Sequence, residues 1–299
     1  MVDDEIARQE RAKELREEIE RLRSGEGSEE PPKSPREFVQ RAASEEADTM
    51  AERRIGTREE WQAARDELAK LEGEQAERNE EIKRKRRELP WVPVEKEYVF
   101  DTEDGRKTLA DLFEGRSQLL AYNVMYGPDY ELGACPGCTN LADELGDAQI
   151  HLNHRDVTLM CFSRAPIDRL TAYKERMGWK FPYVSTYETD FPWDFGLALT
   201  EEQAEQIPQV KEMIDDPPDW LQEWSKQVGA DLKDGLREGP GWIAFAREDG
   251  TVYHTYTVMA PDPFVAPYHS FLLDRTPKEG EEEPRAWRKD EYEDVAASS

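Results

Sequence analysis

The second half of the chain alternates short apolar runs with segments of helical periodicity. Apolar runs of this length bounded by turn residues are typical of buried strands, and recurrence every three to four residues is typical of helices. In chain order, the pattern predicts a strand at 118–125, a helix at 139–152, a strand at 156–163, a helix at 166–177, a hairpin at 241–246 and 251–257, and a helix at 264–273.

Alternating strands and helices predict parallel strands joined by crossover helices, and the hairpin adds antiparallel strands. We therefore expect an α/β fold of the thioredoxin-like, three-layer type, with a mixed central sheet flanked by helices. This domain is expected over residues 90–276, with residues 200–238 as an insertion. The insertion is polar, so it is either a cover over the functional site or a surface elaboration. Residues 277–299 are expected to form an acidic C-terminal tail.

The first 89 residues are charged and only sparsely apolar. Residues 1–56 predict a charged, partly disordered helical extension with a linker. The capping box at Thr57 and Glu60 begins a helical arm over residues 57–89, which Pro90 ends. Its apolar positions form only a partial heptad seam, so we expect a charged arm with a possible role in self-association.

Charge narrows the classes of partner. The chain carries 67 acidic and 40 basic residues, for a net charge of −27. Nucleic acids and anionic membranes are bound through Lys and Arg, so neither is expected as a partner. No apolar run has the length of a membrane helix, and the N-terminus has no signal-peptide pattern, which predicts a cytoplasmic protein. Arg outnumbers Lys by 26 to 14, and an acidic, Lys-poor surface favours adaptation to high salt, with an ordinary acidic protein as the alternative.

The candidate chemistry lies in a Cys-Pro-Gly-Cys motif formed by Cys135, Pro136, Gly137 and Cys138. The motif follows a predicted strand and begins a predicted helix. A thiolate at a helix N-terminus is stabilised by free backbone N–H groups and by the helix dipole, so its pKa falls. The two-residue spacer lets the second thiol attack a mixed disulfide formed by the first. We therefore predict Cys135 as the nucleophile and Cys138 as the resolving thiol.

The predicted substrate-contacting residues are Pro136 and Gly137, which lie between the thiols, and Pro240, which precedes the predicted hairpin. In a thioredoxin-like fold a cis-proline before this strand faces the cysteines, and cis X–Pro bonds are rare enough to be deliberate. No metal and no cofactor are predicted. Cys161 lies mid-strand and is expected to be a packed structural thiol.

Two other chemistries compete with the redox interpretation. The spacing of Cys135 and Cys138 to His151 and His154 approaches a zinc-finger pattern, but a continuous helix over 139–152 places His151 about 20 Å from the cysteines. A peroxiredoxin motif needs Pro at 128 and Thr or Ser at 132. Only the first condition is met, because position 132 is Leu132.

Several segments also resemble a known family. From about residue 57 to 292 the chain resembles the thioredoxin-like family catalogued as domain of unknown function 899. The matching segments are Arg58-Glu59-Glu60-Trp61, Leu89-Pro90-Trp91-Val92, Cys135-Pro136-Gly137-Cys138, Arg155-Asp156-Val157-Thr158-Leu159, Ser163-Arg164-Ala165-Pro166, Met177-Gly178-Trp179, Asp190-Phe191, Asp194-Phe195-Gly196 and His254-Thr255-Tyr256. The resemblance implies a thioredoxin-like fold and a redox role for Cys135 and Cys138, but no substrate.

Taken together, these patterns predict a thiol–disulfide oxidoreductase acting on protein or small-molecule disulfides. The alternative is a redox-inert thioredoxin-like module that binds a protein, and a zinc-binding protein is the weaker third interpretation.

Overall fold

The computed structural model describes residues 55–260, 265–277 and 286–292. The predicted extension at residues 1–56 lies outside this part of the chain, apart from its last two residues. Ten α-helices are seen in the described part: α1 Arg58–Arg87, α2 Pro136–Asp143, α3 Ala148–Asn153, α4 Ile167–Met177, α5 Phe191–Asp194, α6 Glu201–Glu205, α7 Pro208–Asp215, α8 Asp219–Val228, α9 Leu232–Leu236 and α10 Tyr268–Leu273. The strands are β1 Val92–Pro93, β2 Val99–Thr102, β3 Gly105–Thr108, β4 Gln118–Asn123, β5 Val157–Ser163, β6 Tyr183–Ser185, β7 Gly241–Glu248 and β8 Thr251–Met259.

The eight strands form one mixed sheet in the order β1-β8-β7-β4-β5-β6-β2-β3. The central strands β4, β5 and β6 are parallel, as expected for strands joined by crossover helices. The β7–β8 hairpin adds antiparallel strands beside β4. The predicted α/β, thioredoxin-like fold is confirmed, and the hairpin occurs where the turn residues predicted it.

Helices and loops cover both faces of the sheet and make the fold three-layered. Side chains alternate across each strand, so β4 sends Tyr122 to one face and Ala121 to the other. On the first face, Tyr122 and Cys161 pack under α2, α4 and α8 in a core that contains both motif cysteines. On the second face, an aromatic cluster that includes Phe162 and Phe191 fills the other core.

Helix α1 begins with the predicted capping box, in which Thr57 and Glu60 exchange hydrogen bonds. None of its 30 residues is buried. Near its C-terminal end, Nε of Arg86 donates a hydrogen bond of 3.1 Å to the Tyr256 hydroxyl on β8. In the described residues, no helix is long and apolar enough to cross a membrane.

The continuous helix predicted over residues 139–152 is wrong. The structure has two helices, α2 and α3, separated by residues 144–147. Gly146 lies in this break, and glycine has the lowest helix propensity after proline. Helix α10 likewise begins later than predicted, after Pro267, which lacks the N–H that a helix interior requires.

Candidate functional site

Strand β4 and the loop after it place the cysteine motif at one end of the sheet. The Cys135 N–H donates a hydrogen bond of 2.9 Å to the carbonyl of Met125, which lies two residues after the end of β4, so the loop folds back to its own beginning. Cys135 is the N-cap residue of α2, and its carbonyl accepts the first helical hydrogen bond, from the Thr139 N–H at 2.9 Å. The predicted junction of strand and helix is therefore present, with Cys135 at the helix N-terminus.

Gly133 sets the approach of the loop to α2. Its φ of +124° is a conformation that L side chains rarely adopt. A Cβ at this position would also lie 2.7 Å from the ring of Tyr173 on α4. The aromatic ring thus packs directly on the loop backbone, two residues before the first cysteine.

The surroundings of Cys135 favour its thiolate. A hydrogen bond from the Cys138 thiol is the largest cause that lowers the pKa of Cys135, to about 6. Burial opposes this shift, but the backbone N–H groups of Gly137 and Cys138 and the side chain of Trp224 also donate to the sulfur. Cys135 as a residue keeps 9% of its surface exposed, and it lines a groove beside α8.

The second thiol has the opposite character. Cys138 is 2% exposed, and burial raises its pKa well above the usual value of a thiol. Its hydrogen bond to Cys135 and the neighbouring thiolate charge act in the same direction. The Tyr122 hydroxyl from β4 also bonds this sulfur. Cys161 is fully buried in β5, and burial raises its pKa as well, which fits a packed thiol. All three cysteines are free thiols.

A groove of about 650 Å³ opens beside the motif. Cys135, Pro136 and Gly137 line one wall, and helix α8 lines the other with Trp220 and Trp224 among its side chains. Helix α8 belongs to the segment 200–238, so this part of the predicted insertion lies next to the cysteines.

Trp224 packs closely against two other residues. Its ring meets that of Tyr130 edge to face, with ring centroids 5.4 Å apart. Gly235 of α9 also lies against the ring, and an added Cβ at this position would come within 2.1 Å of it. These contacts fix the indole where it donates to the Cys135 sulfur.

Residues 286–292 also reach the motif, although composition alone predicted an acidic tail there. Arg288 is 2% exposed and donates hydrogen bonds to the carbonyl of Ala134, the residue before Cys135. It also donates to the carbonyl of Gln227 at the end of α8. One arginine thus joins the cysteine loop to the groove wall.

Glu238 is the charged residue that sequence reasoning missed. It lies two positions before Pro240 in the loop that leads into β7, and its side chain is 0% exposed. The nearby Gly239 carbonyl accepts a hydrogen bond of 2.8 Å from Asn123 at the end of β4. The pairing of β4 with β7 therefore brings the Glu238 loop to the same end of the sheet as the cysteines. The adjacent Gly-Pro-Gly loop was the only signal in the sequence.

The predicted site residues have different placements. Cys135, Pro136 and Gly137 share the groove, and Cys138 lies beneath it. Pro240 precedes β7, next to the end of β4, and its contact with a substrate stays a prediction. In residues 55–260, 265–277 and 286–292, no three His, Cys, Asp or Glu side chains are grouped to hold a metal ion.

Comparison with solved structures finds matches at low sequence identity. A PrxQ cysteine mutant from Xylella fastidiosa is 14% identical over 59% of this chain and 84% of its own, with a TM-score of 0.37. Peroxidoxin BcpB from Mycobacterium tuberculosis is 16% identical over 38% and 69%, with a TM-score of 0.31. A mutant of peroxiredoxin Q from Xanthomonas campestris is 15% identical over 59% and 87%, with a TM-score of 0.32.

Among curated proteins, no sequence matches the chain. One family model does, and it extends over residues 50–294, which include the helical arm, the cysteine motif and Arg288. The chain therefore belongs to the family described as bacterial protein of unknown function (DUF899).

Proposed function

We propose that the protein is a thiol–disulfide oxidoreductase in which Cys135 is the nucleophile and Cys138 the resolving thiol. The observation that carries this proposal is the contrast within the pair. One sulfur has a lowered pKa and opens into a groove, while the other has a raised pKa and is buried one helical turn away. The attacking group in thiol exchange is a thiolate, so the reaction begins at Cys135.

The reaction with a disulfide has two steps. The Cys135 thiolate forms a bond to one substrate sulfur, and the other substrate sulfur leaves with the electron pair of the broken bond. Cys138 then attacks the Cys135 sulfur, which closes the intramolecular disulfide and releases the second substrate thiolate. The protein pair is oxidised by two electrons, and the substrate disulfide is reduced to two thiols.

The groove supports a substrate that lies along α8. Trp220 on this wall is 59% exposed. Tryptophan side chains usually bury a large apolar area, so this exposure leaves apolar surface free for a substrate. Either an extended peptide around a protein disulfide or a small-molecule disulfide has room in about 650 Å³.

Insulin reduction with dithiothreitol as electron donor tests the proposal. We expect the wild-type protein to accelerate it and Cys135→Ser to abolish the effect. Cys138→Ser should instead accumulate a mixed disulfide through Cys135, because the resolving step is lost. Cys161→Ala is the matched control and should retain activity. A wild-type protein that does not exceed dithiothreitol alone, on insulin or on glutathione disulfide, contradicts the proposal.

A second candidate is a redox-inert interaction module, and the exposed stripe on α1 favours it. Trp61, Leu68 and Leu71 are each about half exposed or more on a helix that buries none of its residues. A second copy of this chain is the partner that the partial heptad seam suggests. Sedimentation of wild type and of Leu68→Glu tests it. A dimer that dissociates in the variant supports the module, and a wild-type monomer at all concentrations contradicts self-association.

A further inference from the structure

Glu238 is a buried carboxyl with incomplete pairing. Its Oε1 finds no hydrogen-bond partner among the described residues. Its Oε2 lies 3.5 Å from the Tyr130 hydroxyl and 4.0 Å from Nη1 of Arg164, both long contacts. Burying a carboxylate is costly unless it is well paired. Two long contacts do not compensate fully, so the protonated form is favoured at this position.

Tyr130 connects Glu238 to the reactive sulfur. Its hydroxyl lies 3.5 Å from Oε2 of Glu238, and Tyr130 belongs to the same buried core cluster as Cys135 and Cys138. Burial is the main cause that raises the pKa of Glu238, to about 7, and the Arg164 guanidinium lowers it in part. The charges of Cys135 and of Asp234 on α9 raise it further, while the Tyr130 hydroxyl favours the carboxylate. Glu238 and Cys135 are therefore two acids that oppose each other's ionisation in one buried region.

We propose that Glu238 and Cys135 share one proton in the reduced protein, so that oxidation of the cysteine pair drives the release of that proton from Glu238. This inference rests on the proposed redox role of the pair. In the main reduced form Cys135 is the thiolate, and Glu238 and Cys138 each hold a proton. In the minor form the shared proton lies on Cys135, and Glu238 is the carboxylate.

The proton count of the reaction then balances. Reduction of one substrate disulfide produces two thiolates, which take up two protons to become thiols. Cys138 supplies one proton when it becomes part of the new disulfide, and Glu238 supplies the other. Glu238 gives up its proton because the negative charge of Cys135 disappears in the disulfide, while the positive charge of Arg164 remains beside the carboxyl.

Reduced-minus-oxidised infrared difference spectra of the wild-type protein test this coupling. Only groups that change protonation or bonding on oxidation contribute, so one carboxyl can be followed among many. Near neutral pH, we expect a protonated-carboxyl band to be lost on oxidation. The pH at which the Glu238 carboxyl is half ionised should be lower in the oxidised protein by about one pH unit. The absence of any carboxyl band between pH 5 and 8 (about the range spanned by the two groups) overturns the proposal.

Alkylation of Cys135 gives a second test that needs no substrate. The rate is followed against pH by mass spectrometry of the Cys135 peptide. Glu238→Gln keeps the shape of the side chain and removes its charge. In wild type, the form with an ionised Glu238 holds part of Cys135 protonated, and glutamine removes that form. We therefore expect the alkylation midpoint of Cys135 to fall by about half a pH unit in Glu238→Gln. Glu131→Gln, at an exposed position of the loop before Cys135, should leave the midpoint unchanged.

The outcomes separate this inference from the proposed function. If Glu238→Gln folds and its Cys135 alkylation midpoint equals that of wild type, the proposal of a shared proton is overturned, even if insulin is reduced normally. A protein that shows the shifted midpoint and the carboxyl band, but reduces no disulfide, retains the coupling and loses the oxidoreductase proposal. If Glu238→Gln does not fold, the infrared measurement on wild type decides alone.

Discussion

Arg288 donates two hydrogen bonds to the carbonyl oxygen of Ala134, from Nε at 3.0 Å and from Nη2 at 2.7 Å. The two residues are 154 positions apart in the sequence. Because Ala134 precedes Cys135 directly, the guanidinium fixes the backbone from which the nucleophile projects. These charge-assisted hydrogen bonds also satisfy a backbone carbonyl that is buried away from water.

We expect Arg288→Ala to lower the free energy of unfolding by about 2–3 kcal/mol, because it leaves the Ala134 carbonyl without these donors and removes charge-assisted bonds. Urea unfolding measures the change. Lys289→Ala is the matched control, since Lys289 is a neighbouring exposed cation paired with Asp143. Its effect should stay within about 0.5 kcal/mol. Equal effects of the two substitutions would contradict a structural role for Arg288.

Gly235→Ala tests how Trp224 is positioned. A methyl group at Gly235 would lie within 2.1 Å of the indole ring, so the ring has to move. We expect the hydrogen bond from Trp224 to the Cys135 sulfur to be lost, which raises the pKa of Cys135 by about half to one pH unit. The pH dependence of Cys135 alkylation measures the shift.

The control for that substitution is Gly73→Ala in the interior of α1. No atom lies within 4 Å of the Cβ position at Gly73, so alanine fits there and improves helix propensity. The alkylation midpoint should match wild type. If Gly235→Ala folds and its midpoint also matches wild type, the indole N–H does not stabilise the thiolate.

Local sequence signals predicted the elements that position the motif. The cysteine pair between strand and helix, the Thr57 capping box and the hairpin turn each depend on residues close together in the chain. The break near Gly146 was missed because one glycine in a periodic segment is compatible with a continuous helix.

The rest of the site depends on contacts between distant segments, which no local pattern encodes. Trp224 lies within hydrogen-bonding distance of Cys135 because α8 packs across the groove. Arg288 is buried although its segment has the composition of a solvated tail. Glu238 resembles any acidic loop residue until the pairing of β4 with β7 buries it. Sequence reasoning therefore located the thiols and not the groups that tune them.

A further prediction concerns salt, because after residue 90 the chain has 41 acidic and 20 basic residues. Repulsion among these carboxylates opposes compaction. The screening length falls from about 8 Å at about 0.15 M salt to about 3 Å at about 1 M. We propose an acidic surface adapted to salt and expect the melting temperature to rise with sodium chloride. A temperature that is flat or falls between about 0.1 and 2 M contradicts this. Sulfate is avoided because it also strengthens hydrophobic burial.

The lowered pKa of Cys135 also predicts how stability depends on pH. In the reduced protein this pKa is about 6, against 9.0 for an unperturbed thiol. Between these values the unfolded chain binds more protons at this thiol than the native protein does, so the free energy of unfolding contributed by Cys135 rises with pH. The rise cannot exceed about 1.4 kcal/mol per pH unit, which is the limit for one proton.

Urea unfolding under reducing conditions, at several values between about pH 7 and 9, measures this contribution against a variant that lacks the thiol. We expect the stability of wild type relative to Cys135→Ser to increase steadily across the window, because serine has no proton to lose there. Relative to Cys161→Ala the difference should stay constant, because burial raises the pKa of Cys161 and keeps this thiol protonated in both states until the pH approaches 9.0. Parallel stability curves for wild type and Cys135→Ser would mean that the native thiol is not acidified, and the nucleophile would then lack its thiolate at neutral pH.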